Sequence, residues 1–437
     1  MTATAQSDVM NFLNEVSSRF PAAISLAAGR PTEQFFDRLH PGALLDALTR
    51  YEQHAARDAS PAEVRTRLLQ YGRTAGIIEA LVAEQLRNDQ DVPATADRVL
   101  IAAGCQEALA LCLPTLCPNP SDVLLVCNPT YIGATGAAAD NRVAVHGLPE
   151  GDVAEAIEHA VIRLRRTGQQ ARALYLIPDF DNPTGRVLDV AQRRAILEVC
   201  ARHRIVVLED NPYGLFRFDG EPLPPMAALD DVGCVIYLST FSKTLSPALR
   251  VGAAVLPDTL FGDRGARRAL WEQLVQRKSF VTVNTSPLTQ AIVAGLLLEQ
   301  NVSLREWVKP MTAWYRANRD AMLDALAQTF TPLSPAISWN RPAGGFFLSV
   351  ELPFEFDAEA VTECATGHGV IVMPMSFFAL DASQNRRIRL AFSAMTSTQI
   401  RTGVKALGEY VARRLEQQSE QRPEQHATSD ADALISR

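Results

Sequence analysis

A lysine among hydroxyl-bearing residues is the part of this chain best suited to covalent chemistry. Lys243 lies in the run STFSKTLS (residues 239–246), directly after a short apolar segment, and Arg250 follows it seven positions later. A lysine amine can form a Schiff base with an aldehyde, while hydroxyl groups and a guanidinium can hold a phosphate. This arrangement suits pyridoxal phosphate. A solvated loop lysine is the alternative interpretation of the same run.

An acidic residue at the end of a second apolar segment supports a site for this cofactor. The segment RIVVLED (residues 204–210) reads as a buried strand that ends at Asp210. A buried carboxylate requires a cation, and a protonated pyridine nitrogen is one. Tyr213 could donate to the phenolic oxygen of the same ring. Asp210 could instead only cap the turn before Pro212, and Glu209 should face the opposite side of the strand.

Two further strands end in residues that could contact the same ring. Asn182 begins the turn NPTG after the apolar segment LYLI (residues 174–177), and its amide could reach the phenolic oxygen. Tyr131 follows the strand predicted at 123–127 and could lie flat against a planar ring. Ordinary turn chemistry and a core aromatic are the alternatives.

A strand that turns directly into a helix offers an anion site. In the segment VLIAAGCQEA (residues 99–108) the turn occurs at Gly104. The backbone N–H groups of Cys105 and Gln106 would then point at an anion, helped by the positive end of the helix dipole. A plain strand-to-helix turn is the alternative.

In their order and spacing these segments resemble the fold-type I enzymes that depend on pyridoxal phosphate, and within them the class I and II aminotransferases. The resemblance covers roughly residues 8 to 410. It implies Lys243 as the Schiff-base lysine, Asp210 as the partner of the pyridine nitrogen, Asn182 and Tyr213 as ligands of the phenolic oxygen, Tyr131 as the stacking ring, and a phosphate site made by Gly104, Cys105, Gln106, Thr240, Ser242 and Arg250.

Two more residues gain a role from this resemblance. Tyr71, in the run QYGRTAG, matches a tyrosine that reaches the phosphate from the neighbouring subunit, which implies a homodimer. Arg389, in the run RRIRLAF, matches the arginine that binds the α-carboxylate of the substrate. A guanidinium can grip a carboxylate with two parallel hydrogen bonds, but the pattern alone does not distinguish Arg389 from Arg386 or Arg387.

The N-terminal runs MNFLNEV and ISLAAGRP resemble one branch of the family, the transaminases that form non-proteinogenic amino acids for peptide antibiotics, such as dihydroxyphenylglycine and enduracididine. Gly29 and Arg30 lie in the loop that often lines the substrate side chain. Arg30 could bind a distal acid or form a surface salt bridge. Met375 replaces a frequent glycine, and it would narrow the pocket or pack in a core. Cys105 and Thr240 each replace a common serine.

Composition excludes several classes of partner. The chain has 437 residues and a net charge of −7, which argues against nucleic acid as a partner. No apolar run approaches the ~20 residues that cross a bilayer, so we expect no membrane partner. Seven cysteines without a Cys-x-x-Cys pair argue against a disulfide framework or a metal site. Residues 1–8 lack the pattern of a signal peptide, which predicts a cytoplasmic protein.

Strand-like and helix-like segments alternate along the chain, which favours an α/β fold with a mainly parallel central sheet and helices on both faces. Strands are predicted near 98–103, 123–127, 173–177, 204–209, 234–239 and 250–255, and then near 346–351 and 387–392 in a smaller α+β domain. We expect an N-terminal segment joining the small domain (1–55), a large cofactor-binding domain (56–310), the small domain (311–415) and a disordered tail (416–437).

These residues predict a ping-pong transamination between an α-amino acid and a 2-oxo acid. Lys243 would be the base, Asp210, with Tyr213 beside it, would stabilise the cofactor ring, and Arg389 would hold the carboxylate. Another reaction of the same cofactor on an amino acid (elimination, cyclisation or oxidative deamination) is one alternative. A non-enzymatic sensor domain, as in some transcription regulators, is the other. Such regulators need a DNA-binding domain in front, for which the N-terminal residues leave little room.

Overall fold

The computed structural model describes residues 15–16 and 18–435, with side chains as far as Ser419. In chain order its strands are β1 (Ile24–Ser25), β2 (Val99–Ala102), β3 (Asp122–Cys127), β4 (Ala144–Leu148), β5 (Gln170–Leu176), β6 (Val206–Asp210), β7 (Val235–Thr240), β8 (Gly252–Val255), β9 (Ser338–Trp339), β10 (Phe347–Glu351), β11 (Val370–Ile371), β12 (Met373–Pro374) and β13 (Arg387–Ala391).

The α-helices among these residues are α1 (Pro41–Ala55), α2 (Pro61–Leu69), α3 (Glu79–Gln90), α4 (Cys105–Leu116), α5 (Ile132–Asp140), α6 (Val153–Arg166), α7 (Val190–His203), α8 (Met226–Leu229), α9 (Arg264–Val281), α10 (Pro287–Glu299), α11 (Arg305–Phe330), α12 (Ala358–His368) and α13 (Ser397–Ile435). Throughout the described range, no helix is both long and apolar enough to span a bilayer.

The large domain is built on one seven-stranded sheet in the order β2-β8-β7-β6-β5-β3-β4. Strand β8 runs antiparallel to both of its neighbours, and the other adjacent pairs are parallel. Every residue of β2, β6 and β8 is buried, which requires helices on both faces of the sheet. The predicted mainly parallel sheet is confirmed. Strand β4 was missed because it is a half-buried edge strand that contains His146 and Gly147.

The small domain contains an antiparallel sheet in the order β12-β13-β10-β9. Strand β1 pairs in parallel with β11, and Leu26 accepts a hydrogen bond from the N–H of Ala391, so residues 24–26 join this domain. Helix α1 packs instead on α10 of the large domain, where a Cβ on Gly295 would lie 1.7 Å from the carbonyl oxygen of Ala47. The predicted N-terminal segment 1–55 therefore packs partly on the small domain and partly on the large domain. Its first 14 residues are not among those that the structure describes.

The C-terminal segment also differs from the prediction. Helix α13 continues to Ile435, whereas the sequence predicts disorder from residue 416. The residues after 416 are rich in Glu, Gln and Arg, which have high helix propensity even where no apolar stripe is present. The proposed domain boundaries remain predictions.

The sheet brings the predicted site residues to one edge. The carboxyl ends of the parallel strands β3, β5, β6 and β7 meet there, as does the amino end of the antiparallel β8. In open α/β sheets this edge is where ligands bind. Asp210 ends β6, the segments that follow β3, β5 and β7 carry Tyr131, Asn182 and Lys243, and Arg250 precedes β8.

Candidate active site

A cavity of about 390 Å³ opens at this edge, a volume that suits a small-molecule ligand. Among the predicted site residues, its walls are formed by Gly29, Cys105, Gln106, Tyr131, Asn182, Asp210, Tyr213, Thr240, Ser242, Lys243, Arg250 and Arg389. The structure therefore brings together residues that are more than 350 positions apart in the sequence, such as Gly29 and Arg389.

Lys243 lies in this cavity with an amine that is easily deprotonated. Its Nζ donates to the carbonyl oxygen of Gly29 at 3.2 Å. Burial lowers the pKa of Lys243 to about 8; Asp210 acts against this shift and Arg389 adds to it. An amine with such a pKa is available near neutral pH as a nucleophile or a base, whereas an exposed lysine is not.

Asp210 has one satisfied and one unsatisfied oxygen. Its Oδ2 accepts a hydrogen bond from the hydroxyl of Tyr175 at 2.8 Å, while Oδ1 is buried and has no partner among the described residues. Burial raises the pKa of Asp210 to about 6, and the nearby Tyr175, Cys105 and Lys243 act in the opposite direction. An orphaned buried oxygen is costly, so this position favours a ligand that carries a donor.

Tyr175 is a site residue that the sequence analysis missed. It lies in β5, in the segment LYLI, and its ring is buried. The available signal was a hydroxyl-bearing side chain within an otherwise apolar strand, since a buried tyrosine hydroxyl needs a partner. That partner, Asp210, lies on the neighbouring strand.

Glu209 and Asp210 point to opposite faces of the sheet, as the strand period predicts. The carboxylate of Glu209 accepts from the N–H groups of Met226 and Ala227, both at 2.8 Å, at the start of α8. Burial raises the pKa of Glu209 to about 7. Glu209 thus holds a helix end on one face, and only Asp210 reaches the cavity.

Several groups that can bind an anion lie together where β2 turns into α4. Gly104 precedes the helix with φ +85°, a conformation that favours glycine, and a Cβ there would lie 2.8 Å from Nη2 of Arg250. The Arg250 guanidinium donates to the carbonyl of Ala103 at 2.8 Å and to the hydroxyl of Ser242 at 3.3 Å. The hydroxyl of Thr240 lies 2.9 Å from that of Ser242. Hydroxyls, a guanidinium and a helix N-terminus thus meet at one corner of the cavity.

Of the three candidate arginines, only Arg389 lines the cavity. Its Nη1 donates to Oδ1 of Asn182 at 2.7 Å, and its guanidinium lies between the rings of Phe347 and Phe378 at 4.2 and 4.6 Å. Its Nε is buried without a partner among the described residues, and burial lowers the pKa of Arg389 to about 10, which leaves it charged at neutral pH. Arg386 is exposed, and Arg387 pairs with two surface glutamates.

Three of the residues singled out from the sequence lie away from this cavity. Arg30 has a 61% exposed side chain, forms an ion pair with Glu33 at 3.6 Å and does not line the cavity, so its contact with substrate stays a prediction. Met375 packs in the core, while Met373 lines the cavity. Tyr71 is 80% exposed and does not reach the cavity of its own chain.

Comparison with known proteins accounts for this arrangement. A family model described as aminotransferase class I and II matches residues 42–407. The chain belongs to this family. Class I and II aminotransferases depend on pyridoxal phosphate, and the cofactor prediction is therefore confirmed.

Individual relatives extend the match over nearly the whole aminotransferase chain. It is 39% identical to a (S)-3,5-dihydroxyphenylglycine transaminase of Amycolatopsis orientalis, over 93% of this chain and 92% of the relative. It is 31% identical to aromatic-amino-acid aminotransferase 1 of Thermococcus litoralis, over 89% and 88%. Among solved structures, the multiple substrate aminotransferase from Thermococcus profundus superposes with a TM-score of 0.79 at 28% identity, over 94% and 96%.

The aminotransferase cavity fits pyridoxal phosphate. The unpartnered Oδ1 of Asp210 could accept from a pyridine N–H, and the Lys243 amine is available to an aldehyde. Gly104 keeps open the space beside Arg250 that a Cβ would fill. The ring nitrogen, the aldehyde and the phosphate of the cofactor thus each have a matching group in the cavity.

Proposed function

We propose that this aminotransferase transfers the amino group between an arylglycine-type amino acid, such as 3,5-dihydroxyphenylglycine, and a 2-oxo acid in a ping-pong reaction. The observation that carries the proposal is the convergence of Lys243, Asp210 and Arg389 on one cavity. A base, an acid for the ring nitrogen and a carboxylate-binding cation are the groups that transamination requires.

One residue transfers protons, and the other residues position the substrate and the cofactor. When bound, pyridoxal phosphate supplies an aldehyde that condenses with amines and a ring that accepts electrons. Lys243 Nζ would take the proton from the substrate Cα and return it to the aldehyde carbon of the cofactor. Arg389 holds the α-carboxylate, which orients the Cα–H bond towards Lys243. Asp210 would hold a proton on the ring nitrogen, and Tyr213 and Asn182 would hydrogen-bond the phenolic oxygen.

The residues that line the cavity favour a substrate with an aryl side chain over one with a basic side chain. Its walls near Arg389 include Phe347, Phe378, Met373 and Ala27. Asp210 is the only carboxylate among the described lining residues, and it is bonded to Tyr175. The cationic ring of enduracididine would therefore have no acid to pair with, whereas an aryl ring matches apolar and aromatic walls. The 39% identity to a dihydroxyphenylglycine transaminase supports the same choice.

We also propose that the active unit is a homodimer in which Tyr71 completes the site of the partner. Tyr71 is 80% exposed, and the exposed apolar residues Leu69, Phe280, Val281 and Leu288 lie on the surface of the neighbouring segments 69–72 and 280–288. The loop of Tyr71 adjoins this surface, because a Cβ on Gly72 would lie 3.5 Å from the side chain of Pro287. Contiguous exposed apolar residues on a globular protein mark a contact surface.

A panel of amino donors tests the proposed reaction. The holoenzyme is mixed with dihydroxyphenylglycine, enduracididine, aromatic and basic amino acids, leucine and glutamate, and the loss of the cofactor's visible absorbance is followed. We expect the largest loss with the arylglycine and recovery only after a 2-oxo acid is added. Recovery without an oxo acid would contradict transamination, and efficient reaction only with leucine or glutamate would contradict the substrate class.

A further inference from the structure

Lys278 is a buried lysine of the large domain. It occupies a position in helix α9 where the spacing of the other buried residues predicts leucine. Helix α9 buries one stripe with a spacing of four residues, Leu270, Leu274 and Lys278. Burial of an ammonium is costly unless its N–H groups are paired. Lys278 Nζ lies 3.0 Å from both carboxylate oxygens of Glu107 and 3.0 and 3.1 Å from two threonine hydroxyls, and its three N–H groups are shared among these four acceptors. The positive charge of Lys278 is therefore paired with the carboxylate of Glu107, and two threonine hydroxyls accept further hydrogen bonds.

Glu107 connects this lysine to the corner of the cavity that suits a phosphate. It lies in the first turn of α4, and its Oε2 accepts a hydrogen bond from the N–H of Ala103. The carbonyl of Ala103 accepts from Arg250 at 2.8 Å. The peptide groups on both sides of Ala103 are thus held in place, and Gly104 follows directly.

Neither Lys278 nor Glu107 lines the cavity, so neither can contact the cofactor. A buried ion pair adds little to stability compared with packed apolar side chains, but its directional bonds fix geometry. Here those bonds fix the turn that aims the N–H groups of Cys105 and Gln106 at the cavity.

We propose that Lys278 and Glu107 are a positioning pair for the phosphate group of the cofactor. Lys278 orients the carboxylate of Glu107, and that carboxylate orients the turn at Ala103. The inference rests on the proposed phosphate site at this turn. It concerns only the phosphate, because the residues that would contact the ring, such as Asp210 and Asn182, lie at the ends of other strands.

The test compares the affinities of the apoenzyme for pyridoxal phosphate and for pyridoxal, which lacks the phosphate. In Lys278→Met we expect the affinity for pyridoxal phosphate to fall at least about tenfold, the size expected for a hydrogen bond to a charged group, while the affinity for pyridoxal changes little. Lys309→Met is the matched control, since that lysine is 72% exposed and pairs only with a neighbour on its own helix.

A double variant guards against loss of folding. Lys278→Met with Glu107→Met removes both charges together, so no unpaired charge remains buried. Its thermal midpoint shows that it folds, and we expect the same selective loss. An unchanged ratio of the two affinities in this folded variant overturns the proposal.

Arg250→Met separates this inference from the assignment of the phosphate site. If Arg250→Met lowers the ratio of the two affinities and the double variant does not, the positioning role is wrong while the phosphate site stands. If Arg250→Met also leaves the ratio unchanged, the phosphate site itself is wrong, and the positioning role fails with it.

Discussion

Asn182 accepts a hydrogen bond from the guanidinium of Arg389, with 2.7 Å between Oδ1 and Nη1. Asn182 follows β5 of the large domain, and Arg389 lies on β13 of the small domain, so this bond joins the two domains across the cavity. The family resemblance implied separate roles for these residues, one at the phenolic oxygen and one at the substrate carboxylate. Both roles are compatible with the bond, because the amide nitrogen of Asn182 still offers two donors.

The first prediction concerns this pair. In Asn182→Asp a carboxylate would replace the amide and form an ion pair with Arg389, in competition with the substrate carboxylate. We expect KM for the amino acid to rise about 30-fold or more, and further than in Asn182→Ala, which removes the amide without adding a charge beside Arg389. Steady-state kinetics with saturating cofactor measures both variants, and Asn141→Ala, far from the cavity, serves as the control. A smaller rise in the Asp variant than in the Ala variant would show that Arg389 does not bind the carboxylate.

The second prediction concerns Tyr175. In Tyr175→Phe the hydrogen bond to Asp210 is lost, and because that bond lowers the pKa of Asp210, the pKa of the carboxyl should rise above about 6. Cofactor binding should then weaken at a higher pH than in the native protein, with the acid limb of its pH profile moved up by about one unit. Tyr410→Phe removes a similar bond, to Glu363 in the small domain, and should leave the profile in place.

The third prediction concerns the stability of the apoenzyme. The pKa of Asp210 is raised to about 6, above its ordinary value, so the folded apoenzyme binds more protons than the unfolded chain between about pH 4 and pH 6. The contribution of the Asp210 carboxyl to the free energy of unfolding therefore decreases as pH rises through this window, by about 3 kcal/mol at most.

Asp210→Asn removes that penalty. We expect the apo variant to be more stable than the native apoenzyme at pH 7, with the difference disappearing as pH falls towards 4. Urea unfolding of both apoproteins at several pH values measures the effect. A constant difference across this range would mean that Asp210 does not titrate in the folded protein.

The fourth prediction concerns Tyr71 and the partner subunit. Tyr71→Ala and Lys243→Ala homodimers should each have little activity, for different reasons. If Tyr71 acts across the interface, a mixed dimer contains one site with both native residues. Random exchange of equal amounts should therefore restore about a quarter of the native activity per site. No recovery, with subunit exchange verified by mass spectrometry, would place Tyr71 in its own subunit or outside the site.

The sequence predicted what depends on local periodicity and failed where contacts join distant segments. The strand period at β6 was enough to separate Asp210 from Glu209, and the ends of parallel strands gathered the other candidates at one edge. The bond from Tyr175 to Asp210 joins neighbouring strands whose register the sequence does not show. The sequence left open whether Arg30 contacts substrate or forms a surface ion pair, because the direction of its loop, where it pairs with Glu33, is set by tertiary packing.

The two adjacent carboxylates of β6 also limit how this enzyme can be redesigned. Inserting one residue in β6 before Glu209 would keep both carboxylates and still exchange the faces on which Glu209 and Asp210 emerge. The cofactor ring would then meet a longer acid, and the start of α8 would lose the acceptor for its two N–H groups. Strand length at this position is as much a determinant of chemistry as residue identity, and libraries that vary loop lengths should leave β6 untouched.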